Sequence, residues 1–193
     1  MTGESVLFDI SVTERGHRLL APHLQPGDFA IDCTAGNGRD TAFLLDRVGP
    51  AGQVWAFEIQ PEAASRLAER LPGIRVICDS HGELARYAGG RQPAVILYNL
   101  GYLPGGDPSV TTMTAETLRS LRQALAILKP GGVLSVVAYP GHPEGAREAE
   151  AVRQFLEGLP AKQYEALTIL QTNRSASTPV QHLIQKKKGD DHE

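Results

Sequence analysis

Apolar, strand-like runs in this chain of 193 residues end, one after another, in side chains able to hold a polar ligand. The first, Ala30-Ile31, passes into Asp32-Cys33-Thr34-Ala35-Gly36-Asn37-Gly38-Arg39-Asp40. Glycines in such a turn let backbone approach a ligand closely and lead into a helix whose N–H groups point outward. A dinucleotide fingerprint would add a third glycine after Gly36-x-Gly38, and a triphosphate loop would need Gly-Lys-Ser/Thr. Both are missing, so phosphate is disfavoured. Glu58 closes the next run, Val54-Trp55-Ala56-Phe57, about 20 residues after the turn, where a carboxylate suits the two hydroxyls of a ribose. A solvated acid at a strand end is the plainer alternative. Asp79, after Val76-Ile77-Cys78, can accept a hydrogen bond from an exocyclic adenine amine, or Asp79 or Ser80 can cap the helix that follows.

Two later stretches carry groups suited to a second substrate. In Tyr98-Asn99-Leu100-Gly101-Tyr102-Leu103-Pro104-Gly105-Gly106-Asp107, Asn99 can present its carbonyl to an amine and Tyr102 can stack on a flat base. In Tyr139-Pro140-Gly141-His142-Pro143-Glu144, the His142 imidazole sits in a loop and can take a proton from an ammonium substrate. Loop anchoring or helix capping by His142 is the competing reading, and Tyr139 is divided between core packing and substrate contact.

Positioning these residues at one edge requires strands at Phe29–Cys33, Val54–Glu58, Arg75–Asp79, Val95–Asn99, Val133–Tyr139, Tyr164–Leu170 and Val180–Gln185. The first five show little polar alternation, as expected of strands covered on both faces of a mostly parallel sheet. Helices fit between them at Thr13–Leu24, Arg39–Val48, Pro61–Leu71, from Thr114 to Lys129, and at Glu144–Glu157. Thr114 and Thr117 are candidate caps, and Lys129-Pro130-Gly131-Gly132 ends that helix. Right-handed β-α-β crossovers then give a doubly wound α/β sheet. No helical pattern separates the last two strands, which read as a hairpin, so the seven-stranded, Rossmann-like sheet ends in an antiparallel strand. All of this fits one domain, 1–193, with the tail from about residue 187 a solvated, disordered end.

Composition narrows the partners. Apolar residues make up 41% of the chain, enough to bury a core, and no run approaches the roughly 20 apolar residues of a membrane span. The polar first residues lack a secretory pattern, so a soluble cytoplasmic protein with no membrane partner is expected. A net charge of -3 argues against a strongly basic nucleic-acid binder, and no DNA partner is expected, although a local basic face is compatible with it. Cys33 and Cys78 match no zinc or redox spacing and are expected to be buried, reduced thiols.

Asp32-Cys-Thr-Ala-Gly-Asn-Gly-Arg-Asp40 resembles motif I of class I S-adenosylmethionine-dependent methyltransferases, whose sheets also close with an antiparallel strand. Asn99-Leu-Gly-Tyr-Leu-Pro-Gly-Gly-Asp107, Tyr139-Pro-Gly-His-Pro-Glu-Gly145 and Gln171-x-Asn173 narrow the resemblance to the bacterial rRNA methylase family, which includes a tRNA 5-(aminomethyl)-2-thiouridine methyltransferase. It spans nearly the whole chain. The resemblance implies that Asp32, Thr34, Gly36, Asn37 and Asp40 surround the methionine moiety of S-adenosyl-L-methionine, Glu58 and Gln60 its ribose, and Asp79 and Ser80 its adenine. Asn99-Leu-Gly-Tyr102 is similar in layout to the Asn/Asp-Pro-Pro-Tyr tetrapeptide of amino-group methyltransferases, with Leu-Gly in place of Pro-Pro. Asn99 then orients an amine and also touches the cofactor. His142 helps remove the proton, Tyr102 and Tyr139 position the base, and Asp107 orients the loop or pairs with the ammonium. No metal is required. The implied partner is a tRNA anticodon stem-loop, recognised without an added RNA-binding domain and across a homodimer. Its cationic footing would be drawn from Arg39, Arg119, Arg174 and Lys186–Lys188.

Overall fold

A computed structural model describes residues 7–101 and 111–189. Helix α1 (Val12–Leu20) begins at Ser11, whose hydroxyl accepts a hydrogen bond from Glu14 N at 3.1 Å. Pro22 cannot continue its ladder, so α1 stops at Leu20 and a 3₁₀ turn covers Ala21–His23, splitting the expected helix to Leu24. The chain then alternates through β1 (Phe29–Asp32), α2 (Arg39–Val48), β2 (Gln53–Phe57), α3 (Pro61–Arg70) and β3 (Arg75–Ile77). A 3₁₀ turn (His81–Glu83) leads into the five-residue α4 (Leu84–Ala88), followed by β4 (Val95–Asn99) and α5 (Thr114–Ile127). β5 (Val133–Ala138), α6 (Pro143–Glu157), β6 (Tyr164–Ile169) and β7 (Val180–Lys186) complete the order.

The seven strands form one sheet in the order β3-β2-β1-β4-β5-β7-β6. β1 to β5 are parallel, whereas β7 runs antiparallel to both β5 and β6. This is the expected Rossmann-like sheet with an antiparallel end, and β7 lies inside it rather than at its edge.

Two apolar layers hold the sheet, and β4 shows how the pleat feeds both. Ile96 and Tyr98 pack with Leu121, Leu125 and Val152 of α5 and α6, while Val95 and Leu97 pack with Leu20, Leu44 and Val48 of α1 and α2. Side chains buried this fully stabilise by roughly 1.5–3 kcal/mol each. Cys33 is buried as expected, and burial raises its thiol pKa well above the usual range. Cys78 is exposed, because β3 already ends at Ile77 on the outer side of the sheet. Neither Thr114 nor Thr117 caps α5, whose N-cap residue is Met113 and makes no side-chain cap. Both threonines instead reach across to α6: the Thr114 hydroxyl donates to Glu144 at 2.9 Å and that of Thr117 to Glu148 at 2.5 Å.

Candidate active site

At the carboxyl edge of the parallel strands lies a cavity of about 900 Å³, within the size range of small-molecule sites. Its floor is the turn after β1. Gly36 and Gly38 adopt φ of +49° and +66°, a conformation side chains disfavour, and a Cβ on Gly38 would overlap Leu67 of α3. Thr34, Gly36, Asn37 and Asp40 line the cavity. Asp32 does not; it is fully buried beneath, where it accepts hydrogen bonds from Thr34 N (3.1 Å) and the Thr41 hydroxyl (2.6 Å). It therefore braces the turn against the first turn of α2 instead of facing a ligand.

Burial pushes the Asp32 pKa up to about 7, the charges of Asp40 and Glu58 adding to it and the two hydrogen bonds opposing it. A folded-state value above the ordinary 3.8 means that the native state binds the extra proton, so this residue's contribution to stability falls as pH rises from about 4 to about 7. Asp32→Asn removes the buried charge while keeping an acceptor for Thr34. The variant should gain on the wild type progressively through that window. Urea unfolding of the ligand-free proteins at several pH values reads this as a pH-dependent difference; a constant difference would assign the pH dependence to another group.

Two further acids close the strand ends. Glu58, almost buried, accepts hydrogen bonds from Gly36 N (2.9 Å) and Gln60 N (2.8 Å), joining the end of β2 to the glycine turn. Asp79 accepts from the Tyr87 hydroxyl at 2.7 Å and from Ser80 N at 2.8 Å, and these bonds hold its carboxyl below the usual range. Ser80 does cap the 3₁₀ turn, accepting from Gly82 N at 3.1 Å, and its hydroxyl donates to Glu116 of α5 at 3.0 Å. Glu58, Gln60, Asp79, Ser80 and Glu116 all line the cavity.

Asn99, at the tip of β4, is held on three sides. Its backbone N–H donates to the Thr34 hydroxyl at 2.6 Å, its Nδ2 donates to Asp40, and its Oδ1 accepts from the Tyr139 hydroxyl at 3.2 Å. Asp40 is fixed in turn by His17 of α1, whose Nε2 lies 2.6 Å from Oδ1. The Tyr139 pKa is raised, chiefly by burial and then by the charge of Asp40, against the effect of a hydrogen bond with Thr13.

His142 lines the cavity as the N-cap of α6, its Nδ1 accepting from Gly145 N at 3.1 Å. In the neutral ring this places the proton on Nε2. Acting as a base, the ring would have to surrender the lone pair that caps the helix, so the capping alternative is the one the geometry favours. Tyr102 and Asp107 lie outside the described residues. On either side of that segment, Gly101 N donates to the Thr112 hydroxyl at 2.8 Å and Thr112 N to Gly101 O at 3.0 Å. The Thr112 hydroxyl donates onward to buried Glu148 of α6 at 2.7 Å.

The expected cationic footing separates into two groups. Arg39 lines the cavity, and Arg174 is exposed on the β6–β7 connection, whose Ser177 and Pro179 also line it. Arg119 is already engaged with Glu83 (2.7 Å) and Glu116 (2.8 Å). Lys186–Lys188 lie at the opposite end of the sheet, since the antiparallel β7 sets Gln185 beside Val133 at the start of β5. There Lys186 donates to the Leu125 and Ala126 carbonyls of α5, and Lys187 to the Ala161 carbonyl, so the chain is still hydrogen-bonded where a solvated tail was expected. Thr13, His17, Thr41, Glu116 and Glu148 were not singled out from the sequence. Their signal was present as polar residues at helix positions in phase with buried apolar ones.

A family model described as "Putative rRNA methylase" matches residues 54–185. A chloroplastic tRNA (mnm(5)s(2)U34)-methyltransferase from Arabidopsis thaliana is 37% identical over 179 residues, 84% of this chain and 65% of that relative, so the chain spans just under two thirds of its length. Among solved structures, one described as a "putative rRNA-methylase" from Clostridium thermocellum superposes with a TM-score of 0.89 at 32% identity, covering 93% of this chain and all (100%) of that one. One described as a "putative methyltransferase" from Streptococcus mutans, solved in complex with SAH, gives 0.82 at 30% identity, covering 92% and 98%. The chain belongs to this rRNA methylase family, and its sheet is the class I methyltransferase fold.

Proposed function

We propose that the chain is an S-adenosylmethionine-dependent tRNA methyltransferase that N-methylates the 5-aminomethyl group of the wobble uridine, converting 5-aminomethyl-2-thiouridine to its 5-methylaminomethyl form. The observation that carries it is Asn99, whose amide is fixed at the cavity wall between Asp40 and Tyr139. The name of the plant relative supports the substrate.

The residues present fit the cofactor. Glu58, at a strand tip, can take a ribose diol; Asp79 and Ser80 can take an adenine edge; the bare backbone around Gly36 admits the amino-acid end. When bound, S-adenosylmethionine supplies a methyl group on a positively charged sulfur, and the departing thioether is neutral. The protein's task is to hold the amine in line, with its lone pair free, and to exclude water. Asn99 Oδ1 retains a second acceptor site for an amine N–H, leaving the nitrogen lone pair to face the methyl. Asp40 adds negative charge behind Asn99, which stabilises the positive charge that the neutral amine acquires as it takes the methyl.

The same reading takes the substrate as the anticodon stem-loop, footed on Arg39 and Arg174. It extends to a homodimer formed in the cytoplasm, supported by Leu167 and Leu170, which stand exposed on and just after edge strand β6. Sedimentation showing only monomer at working concentration would remove the dimer. Among the described residues no helix is long and apolar enough to cross a membrane. The family description favours one second reading, an rRNA substrate. Incubating purified protein and labelled S-adenosylmethionine with tRNA and rRNA, each isolated from a strain lacking the gene, separates them. Label should enter tRNA and appear, after digestion, in 5-methylaminomethyl-2-thiouridine. Label confined to rRNA would overturn the tRNA assignment.

A further inference from the structure

Helix α1 reaches the catalytic edge with two polar side chains one turn apart. His17 bonds Asp40, and its ring lies flat on Phe43, with centroids 4.1 Å apart and planes inclined by 5°. Thr13, on the same face of α1, lines the cavity as Tyr139 does, and its hydroxyl lowers the Tyr139 pKa against the effect of burial. Asp40 and Tyr139 are the two groups that grip the Asn99 side chain, one at its nitrogen and the other at its oxygen. The chain of contacts therefore starts on α1 at both ends and closes on one amide.

We infer that His17 and Thr13 are positioning residues that fix the rotation of the Asn99 amide, with Oδ1 held toward the acceptor amine. The inference rests on the methyl-transfer reading for its catalytic consequence, though not for the clamp itself. An amide can turn by half a revolution with little change of shape, exchanging acceptor for donor. A turned Asn99 would set N–H groups against the amine and take away its acceptor. Asp40 prevents this, because a carboxylate accepts but cannot donate. Its own two oxygens are divided between Asn99 and His17, so His17 determines which oxygen is left for Asn99. The stack on Phe43 keeps the imidazole from swinging away.

The test uses the chain's asparagines, which are Asn37, Asn99 and Asn173. With ¹⁵N-asparagine labelling, the side-chain amide spectrum reduces to three pairs, and Asn99→Ala assigns one of them. In the wild type, the Asn99 pair should be displaced downfield by its carboxylate partner and should exchange slowly with solvent. His17→Phe retains the stack on Phe43 and removes the hydrogen bond. It should move the Asn99 pair toward the free-amide position and speed its exchange, with the Asn37 and Asn173 pairs unchanged. Single-turnover methyl transfer should fall roughly ten- to a hundredfold, the scale of a small misplacement at a reacting centre. Calorimetric affinity for S-adenosylhomocysteine should be unchanged. His17→Gln, which can again donate to Asp40, should recover much of both signals, and Thr13→Val provides a second variant if His17→Phe melts early. An Asn99 pair indifferent to His17→Phe, or transfer at the wild-type rate despite a moved pair, overturns the inference. A wild-type protein that binds S-adenosylhomocysteine but methylates no RNA overturns the proposed function instead, while the spectra still decide the clamp.

Discussion

Asn99→Ala should lower the single-turnover rate of methyl transfer by on the order of 10²–10³-fold, the usual loss on removing one pre-oriented polar group from a reacting centre. Affinity for S-adenosylhomocysteine should stay within a fewfold of wild type. The separation is expected because Asn99 is held by two unconnected parts. Its backbone N–H, bonded to Thr34, stitches β4 to the glycine turn, and alanine keeps that bond. Its amide orients the acceptor, and alanine removes it. Asp40 keeps His17 as a partner, so no buried carboxylate is left bare. Asn99→Asp should be worse than alanine despite its matching shape, since it sets a second carboxylate against Asp40 and leaves the Tyr139 hydroxyl as its one neutral donor. Rapid-quench transfer with calorimetry on the same preparations reads both quantities. A parallel loss of rate and affinity would contradict the role given to the side chain.

Glu58→Ala should act on the other quantity, weakening S-adenosylhomocysteine binding by roughly a hundredfold or more. Hydrogen bonds to a charged group are worth about 1.5–3 kcal/mol each, and a ribose diol makes two. The effect should exceed the lost contacts, because Gly36 N and Gln60 N both donate to this carboxylate and would be left in a half-closed cleft. Glu58→Gln should rescue little, since one of its ends would present N–H to an N–H. Calorimetry gives the affinity, and the ligand-free melting temperature shows how far the turn itself has loosened. Unaltered binding in Glu58→Ala would move the ribose away from the end of β2.

How much of this was readable from sequence differs between the sheet and the site. β1, β4 and β5 are buried on both faces, so their continuous apolar runs mark them, and β6 and β7 stand out because no helical pattern separates them. α4 was mentioned only as the helix after Ser80, being a single short turn closed by Gly89 at φ +54°, too brief to show a period. Residues at strand tips were legible because the fold places successive tips at one edge. Residues that hold those tips were harder to see. Glu148 falls in register with buried Gly145, Val152 and Leu156 on α6, and His17 with Leu20 on α1. Each then reads as a flaw in an apolar stripe until the partner across the interface is known. For Asp32 the resemblance implied a contact with the methionine moiety, whereas its carboxylate is engaged by Thr34 N and by the Thr41 hydroxyl from α2, a partner the sequence alone does not reveal.

β7 follows β6 along the chain, yet it sits between β5 and β6. Until Val180–Lys186 is available, β5 presents an unpaired edge whose residues are all destined for burial, the kind of surface on which nascent chains adhere to one another. Completion of the sheet is thereby tied to the synthesis of β7. A chain cut short before residue 180 loses not an ornament at the margin but the strand that joins β6 to the rest, and should be recovered as aggregate rather than as a smaller folded protein.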